Sequence, residues 1–407
     1  MYNSSVNEQP LRTADSEIQM ECRLICSALF GTEFNFTMEC DWVKVFKDLT
    51  LQAVEGIPGD YISKLPLSPE LKAEWRKKCI SRIGNFYRLL QVQSELTELL
   101  KKNKIDFVIL KGTTAAMYYP QPQYRAMGDI DFLVPPEQFE YAFEILLQNG
   151  FTDTAKSGSR HKELIKDGCD FEMHKYFTLK GDSEELAKLD KVIFDGMKNA
   201  EIHSIEGCSF PALPTLQNGL VLLQHLKHHL RRHFGMRQII DWMLFVDKNL
   251  NDEYWEREFI FYAKDAGLET LAINVTRMCQ IYFGLSDKIT WCHKADENLC
   301  AFLFAHIYEC GNMGQNRTDS VQKAFDLKGG PFALIKNLQI HGVRDWKALK
   351  KFPFLRPFAW LFQICHHIKS IFKYHITPSK IINYSKNESE HIDMYTKLGC
   401  PEDFVGE

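Results

Sequence analysis

Two aspartates one residue apart, in Gly128-Asp129-Ile130-Asp131-Phe132, are the part of this 407-residue chain best suited to hold a cation. Residues two apart on a β-strand share a face, so Asp129 and Asp131 point together while Ile130 and Phe132 turn the other way. Neighbouring carboxylates repel, and neither is buried cheaply without a counter-charge. Magnesium or manganese resolves the conflict, since carboxylate, phosphate and water oxygens suit these ions. On its own the pattern is also frequent on solvated strands.

Two further features give it context. Upstream, the apolar run Phe107-Val108-Ile109-Leu110 ends at Lys111-Gly112-Thr113 and leads into a short helix over 114–119. Glycine lets a backbone approach a phosphate, and a helix start offers free N–H groups. The Thr113 hydroxyl adds a donor, although a capping threonine in an ordinary strand-to-helix turn has the same look. Downstream, Cys169-Asp170-Phe171-Glu172-Met173-His174 alternates, placing Asp170, Glu172 and His174 on one face. Glu172, set between Phe171 and Met173, is the candidate third acid.

The elements that must position these residues are legible from periodicity and punctuation. Residues 15–104 read as helices, with Ser68 as a cap, Pro69 at the first helical position, and Phe86, Leu89, Leu90, Leu96, Leu99 and Leu100 at helical spacing. Strands are expected over 107–110 and 129–134. A helix follows Pro135-Pro136, and a hairpin over 161–177 turns at Asp167-Gly168. Beyond Leu213-Pro214-Thr215 the chain reads as helical to about Gly311. The fold class is α+β, a small mixed sheet flanked by helices. The expected division is a helical region at 1–104, a catalytic core at 105–212, a helical module closing the cleft at 213–343, and a basic-aromatic segment with a polar tail at 344–407.

A strand ending in Gly-Thr, a helix, Asp-x-Asp on the next strand and a later strand acid resemble the DNA polymerase β-like nucleotidyltransferases. More narrowly, Leu110-Lys111-Gly112, Tyr124 to Val134 and Phe171-Glu172-Met173-His174 resemble a bacterial family of uncharacterised nucleotidyltransferases. The similarity covers roughly 105–177, runs loosely through the helical part, and includes Phe352 to Arg356 and Trp360. It implies that Asp129, Asp131 and Glu172 ligate Mg2+ or Mn2+, Asp131 shared between two ions. It also implies a nucleoside triphosphate as substrate. Gly112 and Thr113 would support its phosphates, with Lys111 or Arg125 assisting. Thr113 stands where the superfamily usually has serine, and keeps the hydroxyl. The acceptor is open: a sugar, a small antibiotic, a protein side chain or RNA. An alternative on the same fold is a catalytically silent nucleotide- or partner-binding regulator, against which the intact acid set argues.

The remaining features fit a supporting role. His225, His229 and His233 recur every four residues, which suits zinc, but no HExxH pattern or further ligand accompanies them. Lys227, Arg231, Arg232 and Arg237 are candidate phosphate contacts, Arg231 and Arg237 above all. Arg237 and Asp241 form an i,i+4 pair, with Asp241 also a candidate base. Lys350, Lys351, Arg356, Lys369 and Lys373 alternate with Phe352, Phe354, Phe358, Trp360 and Phe372. That segment suits a membrane surface or RNA, and packing onto the core is the favoured reading. The net charge of −4 gives no global argument for nucleic-acid binding. The twelve cysteines form no CxxC pair, no secretory signal or transmembrane run is expected, and the expected location is cytoplasmic.

Overall fold

The computed structural model describes residues 15–32, 40–154, 160–178, 183–230, 235–311, 338–339, 342–343, 346–350, 352–365 and 391–400. Helices α1 (Ser16–Phe30) and α2 (Trp42–Leu51) begin on aspartate caps, Asp15 and Asp41, whose carboxylates accept two backbone N–H groups each. The long helix α3 (Pro69–Lys102) begins as its sequence dictates, with Pro69 in the first turn and the Ser68 hydroxyl accepting from Leu71 N. After it come β1 (Val108–Leu110), α4 (Gly112–Ala116), β2 (Asp129–Leu133), α5 (Phe139–Gln148), β3 (Thr152–Asp153), β4 (His161–Lys166) and β5 (Cys169–His174). Helix α6 (Glu184–Met197) leads to a hairpin of β6 (Glu201–Ile205) and β7 (Cys208–Ala212).

These strands form one seven-stranded mixed sheet, ordered β3-β4-β5-β2-β1-β7-β6. Strand β2 lies at its centre, antiparallel to β1 and parallel to β5. The β4–β5 turn uses Asp167 and Gly168, both at positive φ, 51° and 68°, which a tight hairpin requires and these two residue types tolerate. The apolar face of the sheet, with Ile130, Phe132 and Phe171, shares one core with Phe86, Leu89, Leu96 and Leu100 of α3 and Phe139 and Leu146 of α5. Sheet and α3 are thus one packed body across the boundary expected at 104. The acids Asp129 and Asp131 alternate with those core residues and lie on the opposite face.

The chain continues through α7 (Thr215–His229), α8 (Met236–Asn249), α9 (Asp252–Tyr254), a π turn at Trp255–Phe259, α10 (Ile260–Asp265), α11 (Glu269–Phe283) and α12 (Glu297–Cys310). Helices α7 and α8 dock directly on the sheet side. Asn218 donates to the Tyr118 hydroxyl at 2.6 Å, and Arg237 Nη1 to the Ala126 carbonyl at 3.1 Å. Gln52 ties α2 to α8 and α12, accepting from Met236 N and donating to the Ile307 carbonyl.

By packing the chain falls into two units. Met1–Asn316 with Lys397–Glu407 form one, and Arg317–Thr396 the other. In the second unit Phe354 is 73% and Phe358 52% exposed, while Leu349 and Ala359 are buried; Lys351, Lys369, Phe372 and Lys373 lie outside the described residues. Among the described residues, no helix is long and apolar enough to cross a membrane. Among the described residues, which include all twelve cysteines, none forms a disulfide.

Candidate active site

The parallel pairing of β2 with β5 sets the site. It places Asp129 opposite Asp170, Asp131 opposite Glu172, and Leu133 opposite His174. Asp131 and His174 are nearly closed off, at 4% and 3% exposure, whereas Glu172 is half-buried and Asp170 exposed. His174 Nε2 lies 3.0 Å from Asp131 Oδ1 and 3.4 Å from Glu172 Oε2. Lys111 Nζ lies 2.7 Å from the same Asp131 oxygen. The acids therefore converge with two basic groups among them.

Lys111 reaches Asp131 from a turn that few L-residues adopt. Its backbone sits at φ 46°, ψ −130°, and Gly112 follows at φ 24°. Lys111 is also the residue before α4, and its carbonyl accepts from Ala115 N and the Thr114 hydroxyl. The turn thus folds the chain back over β2, where Leu110 pairs with Asp131.

Charge shapes the protonation of this cluster. Repulsion from Asp131, then burial, pushes Asp129 above the ordinary aspartate value. The His174 hydrogen bond, opposed by burial and aided by Lys111, holds Glu172 down at about 2. Burial works against a charged His174, but its bonds to Asp131 and Glu172 carry it above the usual histidine value. Burial likewise opposes Lys111, and Asp131, Glu172 and Asp129 outweigh it.

The residues expected at the phosphates separate into two groups. Lys111 and Gly112 stay beside the acids. The Thr113 hydroxyl does not, because it is buried and donates to Gln93 Oε1. Arg125 is also spoken for: its Nε and Nη2 donate to the two oxygens of Asp241 at 2.8 and 2.6 Å, deep in the interior. The Tyr119 hydroxyl donates to the same Asp241 at 2.8 Å. Asp241 is accordingly a structural anchor, and its expected i,i+4 partner Arg237 bonds the Ala126 carbonyl instead. The Arg237 Nε is buried without a hydrogen-bond partner, and the guanidinium lies in the field of Asp129 and Asp241.

Arg231, Arg232 and His233 lie outside the described residues. Lys227 donates to the Gly267 carbonyl. His225 and His229 stack edge to face at 4.4 Å between ring centres. Burial, then His229, Lys111 and Arg237, push His225 well below the usual histidine value. Among the described residues the group of three able to hold a metal ion is Asp131, Glu172 and His174.

That donor set fits a divalent cation. The carboxylates of Asp131 and Glu172 offer the oxygens such an ion takes, and with His174 their ligand atoms lie within 4.8 Å of one another. The Lys111 ammonium against Asp131 shows that the pocket is built for positive charge. Sequence reasoning missed the part His174 plays; the signal was present, since His174 falls in the same alternation as Glu172.

Residues 39–284 match the family described as Uncharacterised nucleotidyltransferase. The chain belongs to this family. The match runs from the residues before α2 to the end of α11, so it takes in the acids, the sheet and the helices docked against it. No curated protein matches the chain.

Proposed function

We propose that the protein moves a nucleoside monophosphate from a nucleoside triphosphate to an acceptor hydroxyl, releasing pyrophosphate, on a polymerase β-like core. The supporting observation is the register of β2 and β5, which sets Glu172 beside the Asp-x-Asp pair next to the Lys111-Gly112 turn. Asp129, Asp131 and Glu172 would hold Mg2+ or Mn2+, which supplies charge neutralisation of the phosphates and a lowered pKa for the acceptor hydroxyl. The protein's own groups do the rest. Gly112 lets the backbone approach the phosphates. Lys111 and Arg237 present cations where negative charge builds up on the departing pyrophosphate. Arg231 is the further candidate for that task from the sequence. The packed sheet beneath keeps the carboxylates in register. The acceptor hydroxyl attacks the α-phosphorus, its proton leaves, and the bond to the bridging oxygen of pyrophosphate breaks.

The test is incubation of the purified protein with each labelled nucleoside triphosphate, Mg2+ or Mn2+, and cell extract. Label should move to one acceptor with equal release of pyrophosphate. Asp129→Asn and Asp131→Asn should each lower transfer more than about a hundredfold, the upper range lost when mere partners of metal ligands are removed, with the native circular dichroism spectrum retained. Nucleotide binding without transfer across all four bases would favour a silent regulator. Near-normal transfer by either variant would remove the site assignment.

A further inference from the structure

We propose that His174 is a positioning residue that, together with Lys111, fixes which carboxylate oxygens face the cation; the inference rests on the reading of the site as a metal centre. Asp131 Oδ1 receives both Lys111 Nζ at 2.7 Å and His174 Nε2 at 3.0 Å. The same ring nitrogen stands 3.4 Å from Glu172 Oε2. Both of its near neighbours are carboxylate oxygens, which only accept, so Nε2 carries a proton. A nitrogen that carries a proton is a donor and not a metal ligand. His174 therefore draws Asp131 Oδ1 and Glu172 Oε2 inward, leaving Asp131 Oδ2 and Glu172 Oε1 for the ion.

The strand register makes this possible. His174 stands opposite Leu133, two residues beyond Glu172 on the same face. At 3% exposure it forms the closed end of the cluster, while Glu172 is at its open side. Its Nδ1 is buried with no hydrogen-bond partner among the described residues, so the ring is held in place by packing and by the two acids alone. Without the ring, Asp131 and Glu172 would face each other across a pocket with only Lys111 to compensate them, and both would be free to rotate.

The experiment is a Mn2+ titration followed by electron paramagnetic resonance, on the nucleotide-free protein and with a non-hydrolysable triphosphate analogue. Wild type, His174→Gln and His174→Leu are compared, with pulsed measurement of nitrogen coupling to the bound ion. The expected results are no directly bonded ring nitrogen in wild type, Mn2+ affinity about 10- to 100-fold weaker in His174→Leu, and affinity within about threefold of wild type in His174→Gln, which keeps a donor. The Mn2+ concentration for half-maximal transfer should rise in parallel, with a smaller change at saturating Mn2+. A strong directly bonded nitrogen signal would make His174 a ligand and overturn the proposal. So would unchanged affinity in His174→Leu, or equal losses in both variants. The wild-type nitrogen spectrum decides the matter even if His174→Leu fails to fold. A protein that shows these Mn2+ properties yet transfers no nucleotide keeps this inference and loses the function; one that transfers nucleotide with His174→Leu unaffected does the reverse.

Discussion

Lys111 holds a backbone geometry usually left to glycine, and its side chain is what that geometry delivers to Asp131. A non-glycine residue in such a region costs on the order of 1–3 kcal/mol. Lys111→Gly should therefore be more stable than Lys111→Ala by about 1–2 kcal/mol in urea denaturation, while both lose the ammonium and with it most transfer. Equal stability of the two would mean that the turn carries no strain. The period-two alternation made Asp129, Asp131 and Glu172 legible from sequence, because strand geometry is local. The bonds that Thr113 and Arg125 make were not legible, for the complementary reason. Their partners, Gln93 and Asp241, lie 20 and 116 residues away in the chain, and nothing in a short motif shows that a hydroxyl or guanidinium is already taken.

At the level of elements, the buried pair of Arg125 and Asp241 joins the loop before β2 to helix α8. Removing one partner of such a pair strands the other charge in the interior. Asp241→Asn should cost about 3–5 kcal/mol, and Arg125→Met with Asp241→Leu should recover most of that loss. A chemical-denaturation cycle over the four proteins measures it; a double variant no better than Asp241→Asn would show that the pair does more than satisfy itself. The long helix α3, the two central strands and the β4–β5 hairpin were readable from caps, apolar runs and Asp167-Gly168. The β6–β7 hairpin was not. Pro211 within β7 argues against a paired strand, and Glu206-Gly207 is a weaker turn signal. Only tertiary pairing of Ile109 with Ala212 brings that strand into the sheet.

For the molecule as a whole, Glu21 on α1 makes stability depend on pH. It is fully buried, and burial, then Asp48, raises its carboxyl from an ordinary 4.5 to about 9. Between those values the folded protein keeps a proton that the unfolded chain gives up, so the contribution is complete below about pH 4.5 and declines as pH rises through the folded value. The slope is about 1.4 kcal/mol per pH unit. Glu21→Gln keeps the shape without the proton equilibrium. Its advantage over wild type should grow steadily from about pH 5 to about pH 9, read from urea midpoints; parallel curves would refute the assignment. The shared core of α3 and the sheet also means that the helical flank and the acid-bearing strands gain and lose stability together.

The central place of β2 has a consequence for how the protein ages and fails. Amide hydrogens exchange with solvent through local openings at edges and ends, and through complete unfolding at the centre. Strand β2 is bonded on both sides, by β1 and β5, whereas β3 and β6 are the outer strands. The amides of Ile130 and Phe132 should thus exchange at the rate of global unfolding, and those of β3 and β6 well before, in deuterium labelling read by NMR. Rapid exchange at Ile130 would contradict this. If it holds, damage elsewhere in the chain lowers the number of folded molecules and leaves each surviving one with its acids in register.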